Sequence, residues 1–313
     1  MATMKATRDA FGEALVRMGE KYPNVVVLDA DLAKSTKSEG FAKKYPSRFF
    51  EMGIAEANMV GTAAGLALAG KVPFCCSFAC FITGRFDTVR LSVAYSKANV
   101  RLVGSHAGIA IGDDGYSQQG LEDVAAMRSL PGMTVIQPAD DVETEAAVEL
   151  LCSHVGPAYL RTTRQKLERV NDPATYKFEL GKAVELVPGG TDAVIFATGG
   201  EVAFAVQAAR ALKGEGLSVG VANIHTIKPL DAAAVVRLAQ QAKAVVTAED
   251  HQVTGGLGSA VAEALTEAGV GRKLLRIGLR DAFGESGTPE ELLAHFKMDA
   301  AGIAGQVRDF LKR

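Results

Sequence analysis

The sequence predicts an α/β protein built from two doubly wound domains with mostly parallel sheets. Two observations carry that expectation: short continuous apolar runs, and helical periodicities that alternate with them from end to end. The run at 25–28 is apolar at every position, as a strand covered by helices on both faces should be, whereas a strand with one wet face would alternate.

The elements follow in order. Phe11, Leu15 and Met18 recur at helical spacing, and the strand at 25–28 then ends in Asp29. A small-residue helix is expected at about 56–68, followed by strands near 72–76, 100–103, 133–136 and 158–160. Asp140 with Glu143 reads as a capping box, and Thr288, Pro289 and Glu291 supply an N-cap, N1 and N3 signature. At 165–177 the pattern dissolves into QKLERVNDPATYK, polar and punctuated by Asn, Asp and Pro. The expected domains are therefore 1–168 and 181–313, joined by a linker at 169–180. In the second, strands at 193–197, 217–222, 244–247 and 274–277 alternate with helices after Gly200 and Gly258.

Composition bounds the function. The 313 residues carry 34 Lys and Arg against 36 Asp and Glu, a net charge of -2, with no basic surplus to neutralise a phosphate backbone. No nucleic-acid partner is expected. At 48% hydrophobic and 22% charged residues, the chain has the makeup of a compact protein rather than a disordered one. Residues 1–9 lack an apolar leader core, and no run of about 18 uncharged apolar residues occurs, so a cytoplasmic protein without a membrane partner is expected. Cys75, Cys76, Cys80 and Cys152 are read as core thiols. Cys76 and Cys80 invite a zinc site, but no nearby pair completes four ligands.

Ligands of open α/β sheets bind beyond the carboxyl ends of the strands, which directs attention to the loops there. In GIAEANM, at 53–59, the lone carboxylate Glu56 opens a helix, where it either complements the helix dipole or serves a site. GSHAGIAIGDDGYSQQGLED, at 104–123, holds five glycines with His106, Asp113, Asp114, Ser117 and Gln118. A connection this long is either functional or a glycine-rich surface loop. Arg161 and Arg164, in LRTTRQ, suit bidentate recognition of phosphate or carboxylate, or are simply solvated charges. Arg8 and Ser35 lie in the first helix and in the loop DADLAKST. The later strings ATGGEV and TAEDH end strands without specifying chemistry.

Taken together, KATRDAFG, LDADLAKST, GIAEANM, the 104–123 block, YLRTTR, IHTIKPLD and TAEDHQVTGGLGSAV resemble, in order, the C-terminal half of transketolase. The likeness covers nearly the whole chain and implies a pyrimidine-binding domain followed by a transketolase C-terminal domain. It implies thiamine diphosphate as cofactor, with Glu56 bonded to the aminopyrimidine ring so that the cofactor can lose its thiazolium C2 proton. Phe81 and Phe78 then wall the pyrimidine. Arg8, Ser35 and Arg164 resemble positions that grip a sugar phosphate, and His106 and Asp114 positions that contact its hydroxyls or phosphate. His106 would hydrogen-bond the sugar or help move protons. Gln118 falls where many bacterial members carry histidine, and glutamine cannot act as a general base.

The chain has about half the length of an ordinary transketolase, and the family's GDG and NN signature for Mg²⁺ and diphosphate is absent. The resemblance thus implies an N-terminal subunit as partner, holding Mg²⁺ or another divalent cation, in a heterotetramer formed by homodimerisation through this chain. The implied reaction passes a two-carbon ketol unit from a ketose phosphate of the xylulose 5-phosphate type to an aldose phosphate. Alternatives are a β-type subunit of a 2-oxoacid dehydrogenase E1, a deoxyxylulose-phosphate synthase-like subunit, and a non-catalytic binding module. SHAGIAIGDDG with SQQGLED and RTTR favours transketolase.

Overall fold

The computed structural model describes residues 3–313. Met1 and Ala2, the first positions of the leader reading and of the expected first domain, lie outside the described residues. A seven-stranded sheet organises the first half, in the order Thr226–Lys228, Thr134–Ile136, Ala158–Arg161, Arg101–Ser105, Val72–Phe78, Val25–Asp29 and Phe49–Glu51. All its pairings are parallel except the first. Every residue of Val25–Asp29, Val72–Phe78 and Arg101–Ser105 is buried, which is why these runs lack alternation.

A five-stranded sheet forms the second half, in the order Lys273–Leu279, Ala244–Gln252, Ala193–Ala197, Val219–Asn223 and Val184–Val187. Only its last pairing is antiparallel. Two clusters pack on the faces of each sheet. Ile195, Val206, Val246 and Ile303 belong to one side of the second sheet, while Phe196, Val235 and Val261 belong to the other. Among the described residues, no helix is long and apolar enough to cross a membrane.

Three features depart from the sequence pattern. Within the stretch 165–177, Lys166–Glu168 forms a strand, pairing antiparallel with Met4–Ala6. Thr226–Lys228, from the second half, joins the edge of the first half's sheet beside Thr134–Ile136. Both pairings depend on partners distant in sequence, which local pattern does not reveal.

The third concerns capping. Asp140 accepts the Glu143 amide as expected. The Glu143 carboxylate, however, takes the N–H of Ala139 rather than that of Asp140. Asn223 Nδ2 at 2.9 Å and 3.0 Å, together with the Tyr176 hydroxyl, draws it toward the second domain. The box at Thr288 and Glu291, with no such competition, is complete.

Candidate functional site

Two neighbouring parallel strands build the centre of the site. Val72–Phe78 and Arg101–Ser105 run side by side with Ser77 opposite Gly104 and Phe78 opposite Ser105. Their carboxyl ends thus deliver Phe78 and the residue after Ser105, His106, to one place. Glu56 reaches the same place as the first residue of the helix Glu56–Leu68, which packs on Val72–Phe78.

Glu56 is only 5% exposed. Its Oε1 accepts from Ser77 Oγ at 3.5 Å, the outer limit for such a bond. A buried carboxylate with so long a contact retains lone pairs for a donor from elsewhere. Phe78 and Phe81 stack nearly parallel, with ring centroids 5.5 Å apart, and Phe78 also stacks on His106 at 4.0 Å. Phe81, on the short helix Ala79–Thr83, is the half-buried end of this row.

His106 has φ of 56°, an uncommon conformation for a residue other than glycine. Its Nε2 lies 2.6 Å from Arg8 Nη1, and its Nδ1 contacts Ser105 Oγ. Burial, with the charges of Arg8, Arg164 and Lys37 adding to it, pushes the imidazole pKa down to about 3. The ring is neutral across the physiological range.

Arg8 sits in the first turn of the helix Thr7–Lys21 and also donates to the Ser35 carbonyl at 3.2 Å. Among the described residues its Nε is buried without a hydrogen-bond partner. Burial lowers its pKa, opposed by Asp9. Arg164 donates to Asp114 Oδ2 at 3.3 Å, both side chains being about 40% exposed, at 40% and 39%. Arg8, Ser35 and His106 are therefore brought into contact, and Arg164 pairs with Asp114 close enough for its charge to act on both Arg8 and His106. Gln118 instead turns to the adjacent Ser117, 3.4 Å away.

The paired arginines separate into two roles. Arg161 is fully buried, bound to Asp123 through both Nε and Nη2, and its Nη2 also donates to the carbonyls of Gly120 and Asp250. Tyr159 completes the set by donating to Asp123 at 2.6 Å. Arg161 thus braces the interior, while only Arg164 faces outward.

Sequence pattern alone does not single out the support near the end of the strand Ala244–Gln252. Glu249 accepts the amides of Leu257 and Gly258, both at 2.7 Å, at the start of the helix Leu257–Glu267. Burial pushes Glu249 up to about 7. A Cβ on Gly256 would fall 2.0 Å from its carboxylate, so glycine is required there. The signal was present in TAEDH, as acids at a strand end, but its partners lie elsewhere in the sequence. No group of three or more His, Cys, Asp or Glu among the described residues is arranged to hold a metal.

Comparison with known proteins defines the class. Residues 3–169 match the transketolase pyrimidine binding domain, and residues 181–303 match the transketolase C-terminal domain. The chain belongs to the transketolase family.

A protein of Methanocaldococcus jannaschii provisionally named transketolase C-terminal section is 44% identical over 313 residues, covering 99% of this chain and 97% of that protein. The 6-deoxy-6-sulfo-D-fructose transketolase subunit SqwH of Clostridium sp. strain MSTE9 is 43% identical over 307 residues, 98% of this chain and 94% of its own. A solved split gene transketolase, described as an inactive beta4 tetramer, is 44% identical. It superposes with a TM-score of 0.91, covering 98% of this chain and 99% of its own.

Proposed function

We propose that this chain is the C-terminal subunit of a two-chain transketolase, passing a two-carbon ketol unit from a ketose phosphate of the xylulose 5-phosphate type to an aldose phosphate. The observation that carries this reading is Glu56, a buried carboxylate whose side chain has, among the described residues, a single long hydrogen-bond contact, beside the Phe78 and Phe81 stack. That set fits the aminopyrimidine of thiamine diphosphate: a carboxylate for a ring nitrogen and an aromatic wall for its face. When bound, the cofactor supplies a thiazolium carbon that takes up the ketol unit.

The chain's own residues have the following roles. Glu56 holds the pyrimidine ring and the proton at its nitrogen. His106, neutral, hydrogen-bonds the sugar, and Asp114 and Gln118 contact its hydroxyls from the loop. Arg8, with Ser35 and Arg164, grips the anionic end. The Arg8 guanidinium forms no direct ion pair among the described residues, Asp9 and Asp114 acting on it only through space, so a phosphate would be its direct anionic partner. The named sulfo-sugar relative is consistent with an anionic substrate class.

An N-terminal partner chain provides the diphosphate and divalent-cation site. A mostly small or apolar face beside Glu56 supports the need for a cover: Ile54 is 84% exposed and Leu68 73% exposed, and Ala57 and Gly65 lie open between them. Two copies of this chain at the centre of a cytoplasmic heterotetramer complete the proposed assembly.

Glu56→Ala tests the assignment in the complex reconstituted with such a partner. The variant should melt like the parent chain and lose turnover by roughly a hundredfold or more. Near-normal turnover would overturn the role of Glu56.

A further inference from the structure

Every residue assigned above to cofactor or substrate precedes position 168, which leaves the second domain without a part in the chemistry. We propose that Asp250, in that domain, is a positioning residue that sets the substrate loop around His106. The proposal rests on the reading of His106 as a substrate contact, and its test separates the two.

Asp250 lies near the end of the strand Ala244–Gln252 and is 5% exposed. Its carboxylate crosses the domain boundary: Oδ1 accepts the Ile109 amide at 2.9 Å and Oδ2 the Ala110 amide at 3.2 Å. These amides open the single turn Ile109–Ile111, where N–H groups have no partner within the turn. One acid thus satisfies two consecutive donors only three and four residues beyond His106.

The loop has little freedom to move away from this contact. Gly108 has φ of 82°, and a Cβ there would fall 1.9 Å from Asp250 Oδ2, so the carboxylate fills the space a side chain would need. On the other flank, the Gly108 amide donates to the Gly120 carbonyl at 2.9 Å. His106, two residues earlier, holds a left-handed conformation, which persists only where surrounding contacts impose it. Gly120 clamps this segment from within the first domain, and Asp250 clamps it from the second. Arg161 joins the clamps, donating to the carbonyls of Gly120 and Asp250 from the same nitrogen.

Loss of the Asp250 carboxylate should therefore free residues 106–111 and move the imidazole, with the second domain's own sheet unaffected. Amide hydrogen exchange of the full chain reads the first effect, and ketol-transfer kinetics of the reconstituted enzyme read the second. Asp250→Ala should speed exchange at Ile109 and Ala110 by at least about tenfold. The strand Ala193–Ala197 should keep its protection. KM for the donor sugar should rise several-fold more than kcat falls.

Asp250→Asn, which preserves volume and one acceptor, should show the same pattern more weakly, and it serves if the alanine variant fails to fold. Unchanged exchange at both amides in Asp250→Asn, or an equal loss of protection throughout the second sheet, would overturn the proposal. His106→Ala supplies the separate control. If it leaves KM unchanged while the Asp250 variants still free the loop, the functional reading of His106 falls and the structural clamp stands.

Discussion

His106 Nε2 lies 2.6 Å from Arg8 Nη1. Because a guanidinium has no acceptor, this contact makes Nε2 the accepting nitrogen and leaves the imidazole proton on Nδ1, directed at Ser105 Oγ. A neutral histidine in a fixed tautomer follows from one arginine and one serine.

The first prediction concerns that imidazole. With its pKa held down at about 3, His106 should show no titration by NMR between pH 5 and 8. Above the unfolded value both states are neutral, so the group contributes nothing to pH dependence. As pH falls below that value, the unfolded state takes up the proton first and stability declines. A midpoint near 6.5 in the folded chain would contradict the geometry.

Arg164→Ala should raise KM for a phosphorylated ketose by about tenfold, with a smaller change in kcat, since the role assigned to it is ground-state binding. A non-phosphorylated ketose should be nearly indifferent to the change. Steady-state kinetics of both donors in the reconstituted enzyme check this, and equal losses would remove Arg164 from the anion-binding role.

The buried Asp123 and Arg161 pair predicts a large stability effect. Asp123→Ala leaves a guanidinium fully buried without its counter-charge, and should cost about 3–5 kcal/mol in urea denaturation. A loss below about 1 kcal/mol would show that the pair behaves like a surface bridge.

Glu143 links the domains through Asn223 and Tyr176, and burial pushes its carboxyl up to about 7, against the pull of the Tyr176, Asn223 and Ala139 donors. A raised acid favours the folded state most at low pH. Its contribution is full below the unfolded value near 4.5 and is lost as pH rises through about 7. Glu143→Gln should be less stable overall by about 1–3 kcal/mol, because its amide meets donors, yet should lose this pH slope. The same slope in both proteins, measured by denaturation from pH 5 to 8, would assign it to other groups.

Parts of this architecture were legible in the sequence because they are local. The run at 25–28 has nowhere to go but a buried strand, and Thr288, Pro289 and Glu291 carry their cap within four residues. The rest depends on contacts between distant segments. Arg161 and Arg164 read alike three residues apart, and only the placement of Asp123 buries one and frees the other. Asp250 was visible as an acid at a strand end. Its partners, Ile109 and Ala110, are 141 and 140 residues away, and no spacing rule connects them. The Lys166–Glu168 and Thr226–Lys228 strands are too short to show a period: the first exists only by pairing with Met4–Ala6 in a two-stranded sheet, and the second only because the first half's sheet offers an edge.

The most direct measurement is ketol transfer from xylulose 5-phosphate to ribose 5-phosphate with thiamine diphosphate and Mg²⁺, comparing this chain alone with a mixture containing a diphosphate-binding partner that carries the GDG and NN signature. The expected result is turnover in the mixture and none with the chain alone, as a half-site built around Glu56 requires. A silent mixture that instead consumes pyruvate or another 2-oxoacid would contradict the transketolase assignment, and silence with every donor would leave a binding module in its place.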